Sequence, residues 1–336
     1  MTGGTGFVGS HTAAALLGAG HELRLLVRSP QKARRVFEAL GMECPECTRG
    51  DVTDAESVAA ALKGCGGVFH AAALVALDAR RAEAVERTNF TGARNVVGLA
   101  QRRGLEHIVH VSSTAALFDP EGGRIGPDSE PTALADSVYA RSKARTEVWL
   151  RRLQREGGAV SATYPGGVLG PHAPAVTDVH RSLLLQLRTL LVTGGGANFV
   201  DVRDLANVHA ALFARPPEAE RWIVGGPYVR WTDLADLLED LTGRRIPRIR
   251  APGALLRGLG RLGDAAKRVV PFGFPLTYEA MTTATRWPGV DSARTLAELG
   301  VCFRDLRETL EDTLCWMLAA GHLTAAQVGR LARPAV

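Results

Sequence analysis

Long apolar runs are missing from this chain. No stretch of its 336 residues approaches the about 18 consecutive apolar residues that a membrane-crossing helix needs, which excludes a helical span. Lysine is scarce, with Lys32, Lys63, Lys143 and Lys267 the only four among 40 basic residues. The remaining positive charge is scattered arginine, net +5, without a basic block, so a nucleic-acid partner is not expected. Aromatic residues make up only 6%. The five cysteines are odd in number and lack framework spacing, which points to a reducing compartment. Cys44-Pro-Glu-Cys47 has no second Cys/His pair nearby, so it reads as two ordinary thiols and no metal site is expected. No leader segment stands before the first motif, and the expected location is cytoplasmic.

Glycine, by contrast, is plentiful at 37 residues, and 46% of the chain is hydrophobic. That is enough for one large core or a core with a smaller lobe. The first glycines are the most informative. Thr2-Gly-Gly-Thr-Gly-Phe-Val-Gly9 runs straight into a helical pattern. Gly3 supplies a tight turn, Gly6 a close backbone approach and Gly9 close packing, the arrangement that cradles a pyrophosphate at a helix N-terminus. A buried strand of roughly five residues should precede such a turn, yet only Met1 occupies that place. The first strand therefore reads as missing or truncated, and a start assigned too late is the expected reason.

Downstream, apolar strand-like segments (21–27, 67–71, 106–112) alternate with helical patterns (55–62, 82–102, 138–155). Alternation of this kind implies parallel βαβ units and an α/β, doubly wound Rossmann-type sheet. Further strands are expected at 159–168 and 221–225, with a short one at 199–202. The expected division is a dinucleotide-binding domain over 1–165, with a return segment near 199–213, and a smaller, mainly substrate-binding lobe over 166–336. Leu255, Leu256, Leu259 and Leu262 form one helix face beside Arg257, Arg261, Lys267 and Arg268. Packing on the lobe core is the expected role of that face, ahead of a membrane-surface or lipophilic-ligand role.

Two further elements carry chemistry. Tyr139-Ala-Arg-Ser-Lys143 spaces a phenol and an amine one helical turn apart. An ammonium there lowers the phenol pKa toward the range useful for proton transfer. Ser112-Ser-Thr114 ends an apolar strand, where open α/β sheets bind ligands, and hydroxyls at that place can polarise a carbonyl. Either element alone has an ordinary alternative, a surface pair or a capping cluster.

Taken with Asp51-Val52, His70-Ala-Ala-Ala73 and Pro165-Gly-Gly-Val-Leu-Gly-Pro171, these motifs make the chain resemble the extended short-chain dehydrogenase/reductase family, also called NAD-dependent epimerase/dehydratases. The resemblance runs in order through nearly the whole chain. It implies Thr114 as the catalytic hydroxyl, with Ser113 beside it, Tyr139 as acid/base and Lys143 as its partner. It implies cofactor contacts from Gly3, Thr5, Gly6, Phe7, Val8 and Gly9 in the turn, and from Asp51 and Val52 near the adenine. Ala71, Ala72, Ala73, Pro165 and Val168 would pass beside the cofactor with Tyr139 and Lys143, and Asn89 matches a helix asparagine near the site. Homodimers are common in the family.

The second strand ends in Val27-Arg28-Ser29-Pro30, with Lys32 and Arg34 following and no carboxylate for the ribose hydroxyls. Arg28 therefore favours NADP(H), with NAD(H) the alternative. Family members acting on sugar nucleotides carry arginines where this chain has Tyr164 and Ala197. The pattern is closer to the dihydroflavonol reductase and 3β-hydroxysteroid dehydrogenase branches. The expected activity is hydride transfer between nicotinamide and a carbonyl/hydroxyl carbon of a small, relatively apolar substrate. The alternatives are a sugar-nucleotide epimerase/dehydratase and a non-catalytic nicotinamide sensor.

Overall fold

Apolar segments at the heart of the sequence pair as short parallel strands in a computed structural model, which describes residues 1–76, 79–132, 137–269 and 277–332. They are β1 (Arg24–Val27), β2 (Glu46–Arg49), β3 (Gly67–His70), β4 (His107–Val111) and β5 (Val160–Pro165). β6 (Gly167–Leu169), β7 (Leu190–Val192) and β8 (Gly196–Asp201) follow, then β9 (Arg221–Val224), β10 (Tyr228–Arg230) and β11 (Arg248–Arg250). One half-sheet is β2–β1 and the other β3–β4–β5–β9, all parallel.

Met1 and Thr2 join the halves. Thr2 bridges Leu26 and His70 in parallel, its N–H donating to the Phe69 carbonyl at 2.9 Å, while the Leu26 N–H donates to the Met1 carbonyl at 2.9 Å. The central strand is thus a stub of two residues instead of the five expected, and the chain leaves it first to one side and then to the other. This makes a doubly wound Rossmann-type sheet whose switch point is the glycine turn. In line with Met1 lies a groove of about 440 Å³, lined among others by Leu23, Arg24, Gly67, Phe69 and Phe213. The Met1 ammonium is buried there against the Arg24 carbonyl at 2.7 Å, and burial lowers its pKa to about 6.

Helices α1 (Phe7–Gly18), α2 (Pro30–Ala39), α3 (Ala55–Ala61), α4 (Ala82–Glu86), α5 (Gly92–Arg102) and α6 (Val138–Arg155) flank this sheet. Side-chain caps set their starts: Ser29 accepts from the Lys32 N–H before Pro30, and Ser137 accepts from the Ala140 N–H. Residues Arg87–Thr91, read as part of one long helix, form a π-helical turn between α4 and α5.

A second lobe holds α7 (Asp178–Gln186), α9 (Trp231–Thr242), α10 (Gly253–Val269), α11 (Tyr278–Arg286) and α13 (Leu306–Ala319) around β6–β8–β10 and β7–β11. Its core includes Leu183, Leu187, Leu234, Leu238, Leu310 and Leu314. Two segments return to the first sheet. α8 (Val202–Phe213) packs on α1 through His209, whose ring nitrogens meet Thr12 at 2.8 Å and Thr163 at 3.0 Å. Beyond the expected return segment, α12 (Ala293–Leu299) lies on β9, with the Thr295 hydroxyl donating to the Ile223 carbonyl at 2.7 Å. The leucine face departs from its expected core role, since Leu256 is buried but Leu255, Leu259 and Leu262 are exposed.

A Cβ on Gly9 would sit 2.1 Å from the Gly3 carbonyl oxygen, against backbone that has nowhere to move. Gly9→Ala is expected to destabilise the chain by about 1–3 kcal/mol, the usual overpacking range. Urea unfolding checks this; an unchanged midpoint would mean that the turn is not held as described.

Candidate active site

The glycine turn has the geometry of an anion cradle. Gly3 has φ +76°, and a Cβ on it would lie 2.6 Å from the Ala71 carbonyl carbon, so only glycine fits. The turn closes by Gly6 N–H donating to the Gly3 carbonyl at 2.9 Å. α1 then starts at Gly6 with no side-chain cap, which leaves its first N–H groups for a ligand. Thr5 is half-buried in the turn. The Phe7 side chain faces inward against Ala173 and Val202, and Val8 packs toward Val200 and Leu205.

At the far end of the cradle, Arg28, Lys32 and Arg34 are exposed. The Asp51 carboxylate accepts from the Thr53 N–H and hydroxyl, each at 2.9 Å, which turns it into its own loop. Val52 is buried against Gly92, with its carbonyl accepting from Asn95 at 2.9 Å. Along the near side, Ala71 and Ala72 are half-buried and Ala73 exposed; Leu77, at the end of that apolar run, lies outside the described residues.

α6 carries the reactive groups. The Tyr139 phenol is buried, which raises its pKa, while a hydrogen bond with Ser113 pulls it back down. Lys143 is 4% exposed and its ammonium donates to the Val111 carbonyl at 2.8 Å. Burial lowers its pKa to about 8, with Glu147 acting in the opposite direction. The Thr114 hydroxyl donates to the Pro165 carbonyl at 3.0 Å, so of the two neighbouring hydroxyls Ser113 is the one at Tyr139. Val168 is half-buried on β6. The π turn aims Asn89 inward. Its amide accepts from the Leu74 N–H at 2.7 Å and donates to the Leu74 carbonyl at 3.1 Å and the Ser142 hydroxyl at 2.9 Å. This ties the Ala71–Leu74 segment to the helix that carries Tyr139.

Glu147 escaped the sequence reading, although Tyr139, Lys143 and Glu147 repeat at intervals of four on α6. Its carboxylate is fully buried and accepts from Tyr164 Oη at 2.7 Å, Arg151 Nε at 2.7 Å and Ser112 Oγ at 3.3 Å. A second group that was missed is the stacked pair His70 and His110, with ring centroids 5.3 Å apart. Burial lowers the His70 pKa to about 3 and holds His110 well below its usual value, so both rings are neutral beside Lys143. His70 stood in the sequence as the head of the 70–73 segment, but nothing local marks His110 or the stacking of the two rings across neighbouring strands.

Comparison with known proteins shows the family of the chain. The family model described as NAD dependent epimerase/dehydratase family matches residues 1–225. A 4-hydroxy-2-methyl-3-oxo-4-farnesyl-3,4-dihydroquinoline-1-oxide ketoreductase of Stigmatella aurantiaca is 36% identical, covering 80% of each chain. The sterol demethylase protein B of Methylococcus capsulatus is 28% identical over 96% of this chain and 99% of its own. The crystal structure of gox2253 superposes with a TM-score of 0.81 at 28% identity, covering 96% of this chain and 98% of that one.

Removing the carboxylate in Glu147→Ala takes the acceptor from Arg151 Nε and Tyr164 Oη, leaving Arg151 the Ser129 carbonyl at 2.6 Å and Glu130 at 3.4 Å, and is expected to cost about 1–3 kcal/mol, read by urea unfolding; a loss under 1 kcal/mol would remove that ion pair as a structural tie. Lys143 makes a separate prediction. Its folded pKa of about 8 lies below the usual 10.5, so between these values the unfolded chain binds more protons and stability rises with pH. The penalty is full below pH 8 and is relieved toward pH 10.5. Lys143→Met is expected to lose that rise in a pH series of unfolding midpoints; an identical rise in the variant contradicts the assignment.

Proposed function

The chain belongs to the NAD dependent epimerase/dehydratase family, enzymes of the NAD(P)-dependent extended short-chain dehydrogenase/reductase type, and on that footing we propose that it is an NADPH-dependent reductase of carbonyl groups on relatively apolar substrates. One observation carries the reading. Tyr139 meets Ser113 on the face of α6 that holds Lys143 a turn later, and Asn89 links that helix through the 71–74 segment to a glycine turn where any Cβ on Gly3 or Gly9 would collide with backbone.

The cradle fits a dinucleotide pyrophosphate, which would lie on the uncapped start of α1. When bound, the nicotinamide supplies or takes up the hydride. The chain's own residues handle the proton and the developing charge. Tyr139 gives the proton from Oη to the carbonyl oxygen in the reducing direction, and Ser113 donates a hydrogen bond to that oxygen as charge develops. Thr114 can join only by turning its hydroxyl away from Pro165. Lys143, released from the Val111 carbonyl, would reach the cofactor ribose and hold positive charge near the phenol.

NADPH is preferred because Arg28, Lys32 and Arg34 stand exposed where an NAD-selective site needs a carboxylate. An apolar carbonyl substrate draws support from two sides. Tyr164 is fully buried on Glu147, and neither it nor Ala197 offers a cation for a nucleotide diphosphate. The Stigmatella relative is by its name a ketoreductase of a farnesylated dihydroquinoline oxide.

Tyr139→Phe is expected to lower NADPH oxidation with ketone and aldehyde panels by roughly 10²–10⁴-fold while leaving NADPH binding in place. Full turnover in the variant would remove Tyr139 from the mechanism. Arg28→Glu is expected to weaken NADPH relative to NADH by roughly tenfold or more, and an unchanged ratio would remove Arg28 from cofactor choice. Tightly held nicotinamide without net redox turnover would favour a sugar-nucleotide epimerase, and saturable binding without any turnover a sensor.

A further inference from the structure

α10 is built the opposite way from a helix that packs by its apolar stripe. Residues 255, 258, 259, 262, 265 and 266 recur at intervals of three and four, so Leu255, Gly258, Leu259, Leu262, Ala265 and Ala266 share one face. All six are exposed, with Leu255 at 56%, Leu259 at 40% and Leu262 at 67%. The face turned inward carries one buried leucine, Leu256, beside glycine. Gly260 lies so close to α11 that a Cβ would come within 2.6 Å of the Thr277 carbonyl oxygen.

On α10 and the segment that leads into it, arginines are the charged side chains that stay outside ion pairs. Arg245, Arg250 and Arg261 are exposed and Arg257 half-buried, and none of the four forms an ion pair among the described residues. Arg257 is held by the Thr285 hydroxyl at 2.9 Å, and Arg261 lies over the Tyr278 ring at 4.5 Å, so both are fixed along the helix flank. The nearby carboxylates are engaged elsewhere. Asp264 accepts from the Tyr278 N–H at 2.9 Å, and Asp236 and Glu239 hold Arg248 at 2.7 and 2.6 Å.

We propose that the exposed face of α10 docks on the surface of an anionic lipid bilayer, leucines entering the acyl boundary and arginines meeting the headgroups. No helix among the described residues is long and apolar enough to cross the membrane, so the contact lies in the interface plane. A second copy of the chain is the poorer occupant. Two-fold pairing of α10 with itself would bring Arg257 and Arg261 toward their own copies, whereas anionic headgroups complement them.

Sedimentation with phosphatidylglycerol vesicles, against phosphatidylcholine vesicles, tests this. The full chain is expected to pellet with the anionic vesicles and to stay in solution with the zwitterionic ones. Leu255→Glu/Leu262→Glu, and separately Arg250→Glu/Arg261→Glu, should each lower the partition by roughly tenfold or more, with unfolding midpoints unchanged. Absence of pelleting, equal binding to both vesicle types, or full binding by the leucine variant would overturn the proposal. So would a dimer in size-exclusion chromatography that the leucine variant converts to monomers, because the face would then belong to a second copy.

Discussion

The contact between Gly3 and Ala71 is the constraint to which the site is referred. Thr2 is hydrogen-bonded to β3 and Met1 to β1, so the backbone leaving the stub has one path, flush against the end of β3. Gly3 takes a positive φ there because no Cβ can be placed. The turn then delivers α1 with its free N–H groups at the switch point of the sheet. The same contact brings the 71–74 segment alongside, where Asn89 fastens it to α6. One backbone collision that glycine alone avoids therefore fixes the cradle relative to the phenol and the amine.

Polar groups buried behind the site hold that relation in place. Lys143 and Glu147 sit one turn apart on α6 and reach different strands, Lys143 to the Val111 carbonyl on β4 and Glu147 to Tyr164 on β5. Leaving such groups unpaired costs more than pairing them gains, so the helix is locked in rotation and along its axis. His209 does the same between α1, α8 and β5, and its burial keeps the ring neutral, with a pKa lowered to about 3. Position at the reactive face thus comes from hydrogen bonds made behind it.

Much of this was legible locally. The span of α6 over 138–155 follows from its helical spacing, and β3 and β4 fall within a residue of their apolar runs. The chain's membership of its family was legible from ordered motifs. Features set by distant contacts were not. Nothing in residues 290–303 announces their return to β9, because Val290 against Gly225 is a contact between remote stretches. The direction of the Thr114 hydroxyl depends on Pro165, far along the chain. The leucine stripe of α10 was visible as a stripe, but which side faces the protein is set by buried Leu256 and by Gly260 against Thr277, and the small size of Gly260 reads locally only as weak helix propensity.

The central claim is that the glycine turn and the Tyr139–Ser113–Lys143 group serve one nicotinamide dinucleotide. A crystal structure determined with NADPH tests it most directly. The account predicts pyrophosphate on the N–H groups at the start of α1, the 2′-phosphate near Arg28, and the nicotinamide ring beside Tyr139. A dinucleotide bound elsewhere, or one whose ring lies out of reach of Tyr139 and Ser113, would contradict it.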